Sequence, residues 1–242
     1  LYFTANSSTT GRELWKTDGT TAGTVMVKNI KAGSTGGFEY ASQYYYYYYS
    51  FNPVWIQGNT FYFIALDYSS VPNGNAATNN YELWKSDGTE MGTVRVADIN
   101  SGAGSSDPND FKIIGTTIFF TADDATGTGE ELWKTDGTVG GTVLVKDIHM
   151  GATGSNPSKL TAVGSKLFFR ADDGTNGTEL WVSDGTPSGT VMLEINSGAG
   201  SSLPDNITAM GGIAYFQASN GTDGYELWRS DGTTGFTHTY MV

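Results

Sequence analysis

The chain has 242 residues, no cysteine, 13 Lys and Arg against 25 Asp and Glu, and a formal net charge of −12 at pH 7. These values exclude a disulfide framework and thiol chemistry, and they argue against nucleic acid as a partner, because affinity for a phosphate backbone comes from clustered basic side chains. No apolar run approaches membrane-spanning length, which argues against insertion in a bilayer.

With 33 Gly, 14 Tyr, 12 Phe and 6 Trp, the composition favours many short strands joined by tight turns. The first residue is Leu1 rather than Met and no signal peptide is visible, so the expectation is a processed or truncated piece of a longer chain.

In chain order, Glu13 to Thr20 (ELWKTDGT) returns with small changes at Glu82 to Thr89, Glu131 to Thr138, Glu179 to Thr186 and Glu226 to Thr233. The signature tryptophans, Trp15, Trp84, Trp133, Trp181 and Trp228, are 69, 49, 48 and 47 residues apart. Recurrence at such spacing is a repeat architecture, with units at approximately 1–30, 31–99, 100–148, 149–195 and 196–242 in a single domain, 1–242.

The fourth unit is the clearest. Strands are predicted at Leu160 to Val163, Lys166 to Ala171, Glu179 to Ser183 and Thr190 to Ile195, with turns at Gly164-Ser165 and Asp184-Gly185-Thr186. Adjacent Leu180 and Trp181 point to opposite faces of one strand, as a sheet packed between two others requires. Four antiparallel strands per unit predict an all-β β-propeller of about five four-stranded blades, one of them lacking a strand, or part of a larger ring of about six to eight blades.

The first period is longer in two places, Phe38 to Ser50 and Asp67 to Asn80, both predicted as loops. One contains six consecutive tyrosines, Tyr44, Tyr45, Tyr46, Tyr47, Tyr48 and Tyr49, followed by Trp55. As a site, they would form an aromatic lip for a sugar or a protein surface. The favoured competing reading is a poorly defined run with no site.

The twelve-residue pattern Glu-Leu-Trp-x-x-Asp-Gly-Thr-x-x-Gly-Thr is complete in the first four units, while Phe236-Thr237 replace the last Gly-Thr in the fifth. On these residues the chain resembles the ELWxxDGT-repeat proteins of bacterial secreted and surface polypeptides, which implies a propeller-like fold and an extracellular or cell-surface location. Trp133 to Gly137 is more loosely similar to the Asp-box hairpins of sialidase-type propellers, which implies a turn and not an active site.

Asp18, Asp87, Asp136, Asp184 and Asp231 are five equivalent acids. An active site needs unlike groups converging, so turn capping is the expected role. The five signature glutamates are expected to pair with cations on the last strand, Lys28, Arg95 and Lys146. Asp123, Asp124, Asp172 and Asp173 are weak calcium candidates in loops rich in oxygen ligands, but no EF-hand pattern is present and solvated loops are favoured.

Neither His149 nor His238 has a zinc or nucleophile context. Arg12, Arg95, Arg170 and Arg229 occupy different places in their repeats, against a convergent carboxylate site. Asn6, Asn176, Asn206 and Asn220 lie in glycosylation sequons that chance explains in this composition.

The expectation is a non-enzymatic binding, adhesion or structural module with no catalytic residue and no cofactor. Its partners would be a protein or glycan surface, or other domains and copies of a larger assembly. An architectural spacer and a glycoside-processing enzyme are the alternatives.

Overall fold

Short strands separated by Gly- and Asp-rich turns lead each strand to pair with the one before it. The computed structural model describes residues 1–31, 36–38, 55–66, 80–102, 104–235 and 237–242. Among them no helix forms, and the strands make five antiparallel sheets.

The first sheet has three strands, β1 (Tyr2–Ser7), β2 (Gly11–Lys16) and β3 (Val25–Lys28). The others have four: β4 (Trp55–Gln57), β5 (Thr60–Leu66), β6 (Tyr81–Ser86) and β7 (Val94–Arg95); β8 (Asn109–Ile114), β9 (Thr117–Asp123), β10 (Glu130–Thr135) and β11 (Val143–Lys146); β12 (Ser158–Val163), β13 (Lys166–Asp172), β14 (Thr178–Ser183) and β15 (Val191–Leu193); β16 (Asp205–Met210), β17 (Ile213–Ser219), β18 (Tyr225–Ser230) and β19 (Thr239–Met241). This all-β architecture is consistent with a β-propeller-like fold. The first two sheets lie in one compact unit, Leu1–Pro108, and the other three in a second, Asn109–Val242.

A second pattern sits one strand ahead of each signature. Phe-x-Ala recurs, and the register sets Phe3 opposite Trp15, Phe63 opposite Trp84, Phe120 opposite Trp133, Phe169 opposite Trp181 and Phe216 opposite Trp228. Two residues along, Ala5, Ala65, Ala122, Ala171 and Ala218 oppose the signature glutamates. A small side chain there leaves room for the carboxyl group.

Packing within each unit follows from strand alternation. Trp181 packs with Leu132 and Val145 of the third sheet, whereas Leu180 packs with Ile207, Ala214 and Phe216 of the fifth. In the first unit Leu14 meets Phe63, Ala65 and Trp84 of the second sheet, and Phe38, expected in a loop insertion, is buried against Phe63 at a ring-centroid distance of 5.6 Å. Each such Leu or Phe contributes about 1.5–3 kcal/mol on burial.

The Asp-Gly-Thr turns are built locally and then used by a neighbouring sheet. Asp18 Oδ1 accepts Thr20 N–H at 2.9 Å and the Thr20 hydroxyl at 2.7 Å, and Asp87, Asp136 and Asp184 repeat both contacts. The central glycines are left-handed, with φ between 74° and 93°. Lys16 Nζ donates to Gly88 O at 2.8 Å, Lys134 Nζ to Gly185 O at 2.7 Å and Lys166 Nζ to Gly232 O at 3.0 Å, so a cation of the first, third and fourth sheets caps the following sheet's turn. Val182 stands where Lys16 and Lys134 stand in their repeats, and Lys166 from the adjacent strand supplies the charge.

A methyl group added at Gly232 would lie 2.8 Å from Cζ of the buried Phe168 ring, whereas at Gly19 it would meet nothing within 4 Å. Gly19→Ala should therefore cost only the left-handed backbone strain, about 1–2 kcal/mol, and Gly232→Ala roughly 2–5 kcal/mol, because overpacking adds to it. Urea unfolding of the two variants checks this; equal losses would contradict the account.

Candidate functional site

The signature glutamates differ most from expectation. Glu13, Glu82, Glu131 and Glu179 are fully buried and, instead of pairing with last-strand cations, they bind the chain segment that follows the last strand. Glu13 accepts the N–H groups of Ile30, Lys31 and Gly37 at 2.9, 3.1 and 2.9 Å. Glu179 accepts Ile195 N–H at 2.9 Å, Ser202 N–H at 3.0 Å and the Ser202 hydroxyl at 2.7 Å. Glu131 takes His149 N–H, Ser155 N–H and the Ser155 hydroxyl, and Glu82 the N–H groups of Ile99 and Asn100 with the Ser106 hydroxyl.

The serines belong to a pattern that escaped the sequence reading: Ser106-Asp107-Pro108, Ser155-Asn156-Pro157 and Ser202-Leu203-Pro204. The middle residue is left-handed in all three, with φ of 44°, 47° and 46°. Three such strained residues at one repeat position mark a turn that the surrounding contacts impose.

The cations assigned to the glutamates go elsewhere. Lys28 Nζ donates to Thr93 O at 2.8 Å and Lys146 Nζ to Thr190 O at 2.8 Å, while Arg95 meets Asp98 at 3.2 Å. Burial lifts Glu13, Glu82 and Glu179 from the usual 4.5 to about 7 against the lowering effect of their donors, and Glu131 is raised for the same reason. With both oxygens occupied and no solvent access, these carboxyl groups are structural clamps and not reactive acids.

A second constellation lies in the second unit, on the strands that follow the three Ser-x-Pro turns. The opening strands β8, β12 and β16 lie side by side, and each is bulged at its start, where Asp110, Lys159 and Asn206 have φ of 47°, 61° and 54°. A bulge redirects the side chains around it. Unlike the signature, this position varies in chemistry from repeat to repeat.

Lys159 Nζ and Asp205 Oδ1 are 3.0 Å apart, both side chains remaining partly exposed. Arg170 Nε donates to Ser158 Oγ at 2.9 Å, and Leu160 N–H donates to Asp110 Oδ2 at 3.2 Å. The Lys159 ammonium holds the Asp205 carboxyl below the usual carboxylate range, so Asp205 is an acceptor and not a proton donor at neutral pH. The row is a set of polar and charged groups held in place by one another.

The remaining candidates are placed as follows. Asp123 and Asp172 accept the N–H groups of Ala125 and Gly174; Asp124 accepts Thr126 N–H and two hydroxyls, and Asp173 the N–H groups of Thr175 and Asn176. Those bonds cap loops, and no group of three or more metal-ligating side chains occurs among the described residues. The Tyr44 to Tyr49 run lies outside the described residues, and Trp55 is the first residue of β4.

In the fifth repeat Asp231 accepts Thr233 N–H and also meets His238 Nδ1 at 2.8 Å, which lowers its pKa to about 2. Its backbone aside, His149 places its ring against Gly174 of the next sheet's loop. Arg12 donates to Thr4 Oγ1, and Arg229 lies between Tyr215 and Tyr240.

No protein-family model matches the chain, and no curated protein matches it. Among solved structures, a puromycin hydrolase mutant complexed with PGG is similar, with a TM-score of 0.51 and 13% identity over 96% of this chain and 37% of that one. This likeness concerns the fold alone, and the chain spans about 37% of the hydrolase's length. A prolyl endopeptidase aligns with a TM-score of 0.43 at 14% identity, over 96% of this chain and 30% of that one. An α-L-arabinofuranosidase from Clostridium thermocellum aligns with a TM-score of 0.29 at 13% identity, covering 78% of this chain and 70% of that one.

The pKa shifts set a pH profile. A glutamate raised in the fold contributes stability that is fully present below its unfolded value of 4.5 and lost as pH rises through about 7. The lowered aspartates, Asp18, Asp87, Asp173, Asp184, Asp205 and Asp231, contribute above 3.8 and lose that contribution in stronger acid. Melting temperature should rise from pH 8 to a maximum near pH 4–5 and then fall, and Glu179→Gln should flatten the rise. A maximum at pH 7 or above in calorimetry would refute this.

Proposed function

We propose that the chain is part of an ELWxxDGT-repeat β-propeller of the cell surface or extracellular space, and that it works as a non-enzymatic binding module. The supporting observation is the division of its acids. The carboxyl groups with raised pKa, which acid catalysis would need, are enclosed by their own chain, whereas the accessible Asp205 is held ionised by Lys159.

Fixed acceptors and donors on bulged strands suit a hydroxyl-rich ligand such as a glycan, or the polar surface of a protein. Repeated sheets supply the rigid frame, and the residues that differ between repeats, Asp110, Lys159 and Asp205 with Arg170, supply recognition.

Glycan and protein arrays probed with the purified chain, followed by titration calorimetry of the best ligand, test the binding reading. Lys159→Ala and Arg170→Ala should each weaken binding by roughly tenfold, the worth of one charge-assisted hydrogen bond, with only a small fall in melting temperature, because a partly exposed pair contributes little to stability. Release of product from the bound ligand, or affinity indifferent to both substitutions, would argue against it.

A further inference from the structure

Two lysines cross the interface between the first and second sheets. Lys16 Nζ caps Gly88 O early in the Asp-Gly-Thr turn, and Lys28 Nζ caps its end, donating to Thr93 O at 2.8 Å and Glu90 O at 3.3 Å. The third and fourth sheets repeat the pair. Lys134 serves Gly185 O, and Lys146 serves Thr190 O at 2.8 Å with its ammonium 5.6 Å from the centre of the Trp181 ring. The second lysine thus runs from one sheet's last strand to the end of the next sheet's turn.

The fourth and fifth sheets, both in the second compact unit, keep only the first of these contacts, made there by Lys166 on Gly232 O. Val27 and Ile30 are separated by Lys28-Asn29, and Val145 and Ile148 by Lys146-Asp147, whereas Glu194 alone separates Leu193 from Ile195. The fourth repeat is one residue shorter there and carries the opposite charge. The facing turn is longer: its closing hydroxyl pair, Ser230 and Thr239, lies nine residues apart, against seven for Ser86 and Thr93 or Ser183 and Thr190.

A cavity of about 250 Å³ lies where these two differences meet, lined by Met192, Leu193, Glu194, Gly235 and Thr239. Thr239 is the counterpart of Thr93 and Thr190, whose carbonyls receive the lysines in the other two interfaces. Trp228, the counterpart of Trp181, packs against the cluster that includes Leu193. Glu194 is exposed and accepts Gly198 N–H at 3.3 Å. Leu180 faces the following sheet and Trp181 the preceding one, so a sheet beyond the fifth would meet the Leu227 side and not the side that closes this cavity.

We infer that this cavity binds a primary alkylammonium group from outside the chain, where two other interfaces receive one from within it. The apolar stem lies against Met192 and Leu193, and the ammonium sits between the Glu194 carboxylate and the Thr239 carbonyl. A lysine side chain of a partner protein and a free diamine share this chemistry, and the net charge of −12 favours the approach of either. The site uses none of the residues of the bulged row, so it stands whatever that row binds.

Titration of n-butylammonium into the whole chain, followed by NMR chemical shifts, tests this. Shifts should concentrate at Met192, Leu193, Gly235 and Thr239 with millimolar affinity, the strength open to so small a ligand. n-Butanol, which has the same stem and no charge, should bind roughly tenfold more weakly, and Glu194→Gln should weaken ammonium binding by about the same factor. Glu194→Lys, which returns a lysine to the place it holds in the first and third repeats, should abolish binding. Melting temperature checks that both variants are folded.

An N-acetylated lysine peptide and cadaverine, run as further arms, distinguish a partner's side chain from a free diamine; the tighter of the two identifies the source. An absence of shifts at tens of millimolar n-butylammonium, equal binding of n-butanol, or binding that survives Glu194→Lys unchanged would each overturn the inference.

Discussion

A carboxylate buried in each of the first four sheets and bound to the backbone of the segment leaving it is the constraint on which the rest depends. Glu179 fixes Ile195 and Ser202 at once, which sets where the chain turns before β16 and hence how the fifth sheet meets the fourth. Glu131 does the same for β12 through His149 and Ser155. Burying an acid in this way is costly unless its oxygens are satisfied, and the backbone N–H groups that satisfy it belong to the connection that must be ordered. One group thereby exchanges its desolvation penalty for control of the repeat-to-repeat geometry.

The second recurring device works at the Asp-Gly-Thr turns. There the aspartate builds the turn from its own neighbours, and the glycine lets the preceding sheet's aromatic ring and cation approach closely. In the second, third and fourth sheets the repeated Glu, Leu and Trp of the signature are all buried. The residues that vary, Asp110, Lys159 and Asn206 at the bulges with Asp205 and Arg170 around them, differ from repeat to repeat without disturbing the frame.

The all-β class, the strand order inside a sheet and the division of Leu180 from Trp181 were legible because each rests on local spacing: period-two alternation and turns closed within a few residues. The glutamate partners were not legible. They lie 17 to 24 residues downstream of Glu13, and only the fold brings Ile30 and Gly37 onto its carboxylate. A nearby cation such as Lys28 looked like the natural partner from strand pairing, whereas its ammonium in fact reaches Thr93 O across the sheet boundary. The recurring Ser-x-Pro, 23 or 24 residues after Glu82, Glu131 and Glu179, was the available signal. The bulged row was hidden for another reason: its residues share a backbone conformation and not a chemistry, so no repeated letter marks them.

Two kinds of repeat information are therefore superimposed: invariant side chains that join one sheet to the next, and variable ones displayed on strained backbone. The central claim concerns the first kind, and amide hydrogen exchange tests it most directly. In Glu179→Ala, the Ile195 and Ser202 amides should lose protection while those paired within β13 and β14 keep theirs. Unchanged protection at Ile195 and Ser202 would show that the connection is ordered without the carboxylate and would contradict the account.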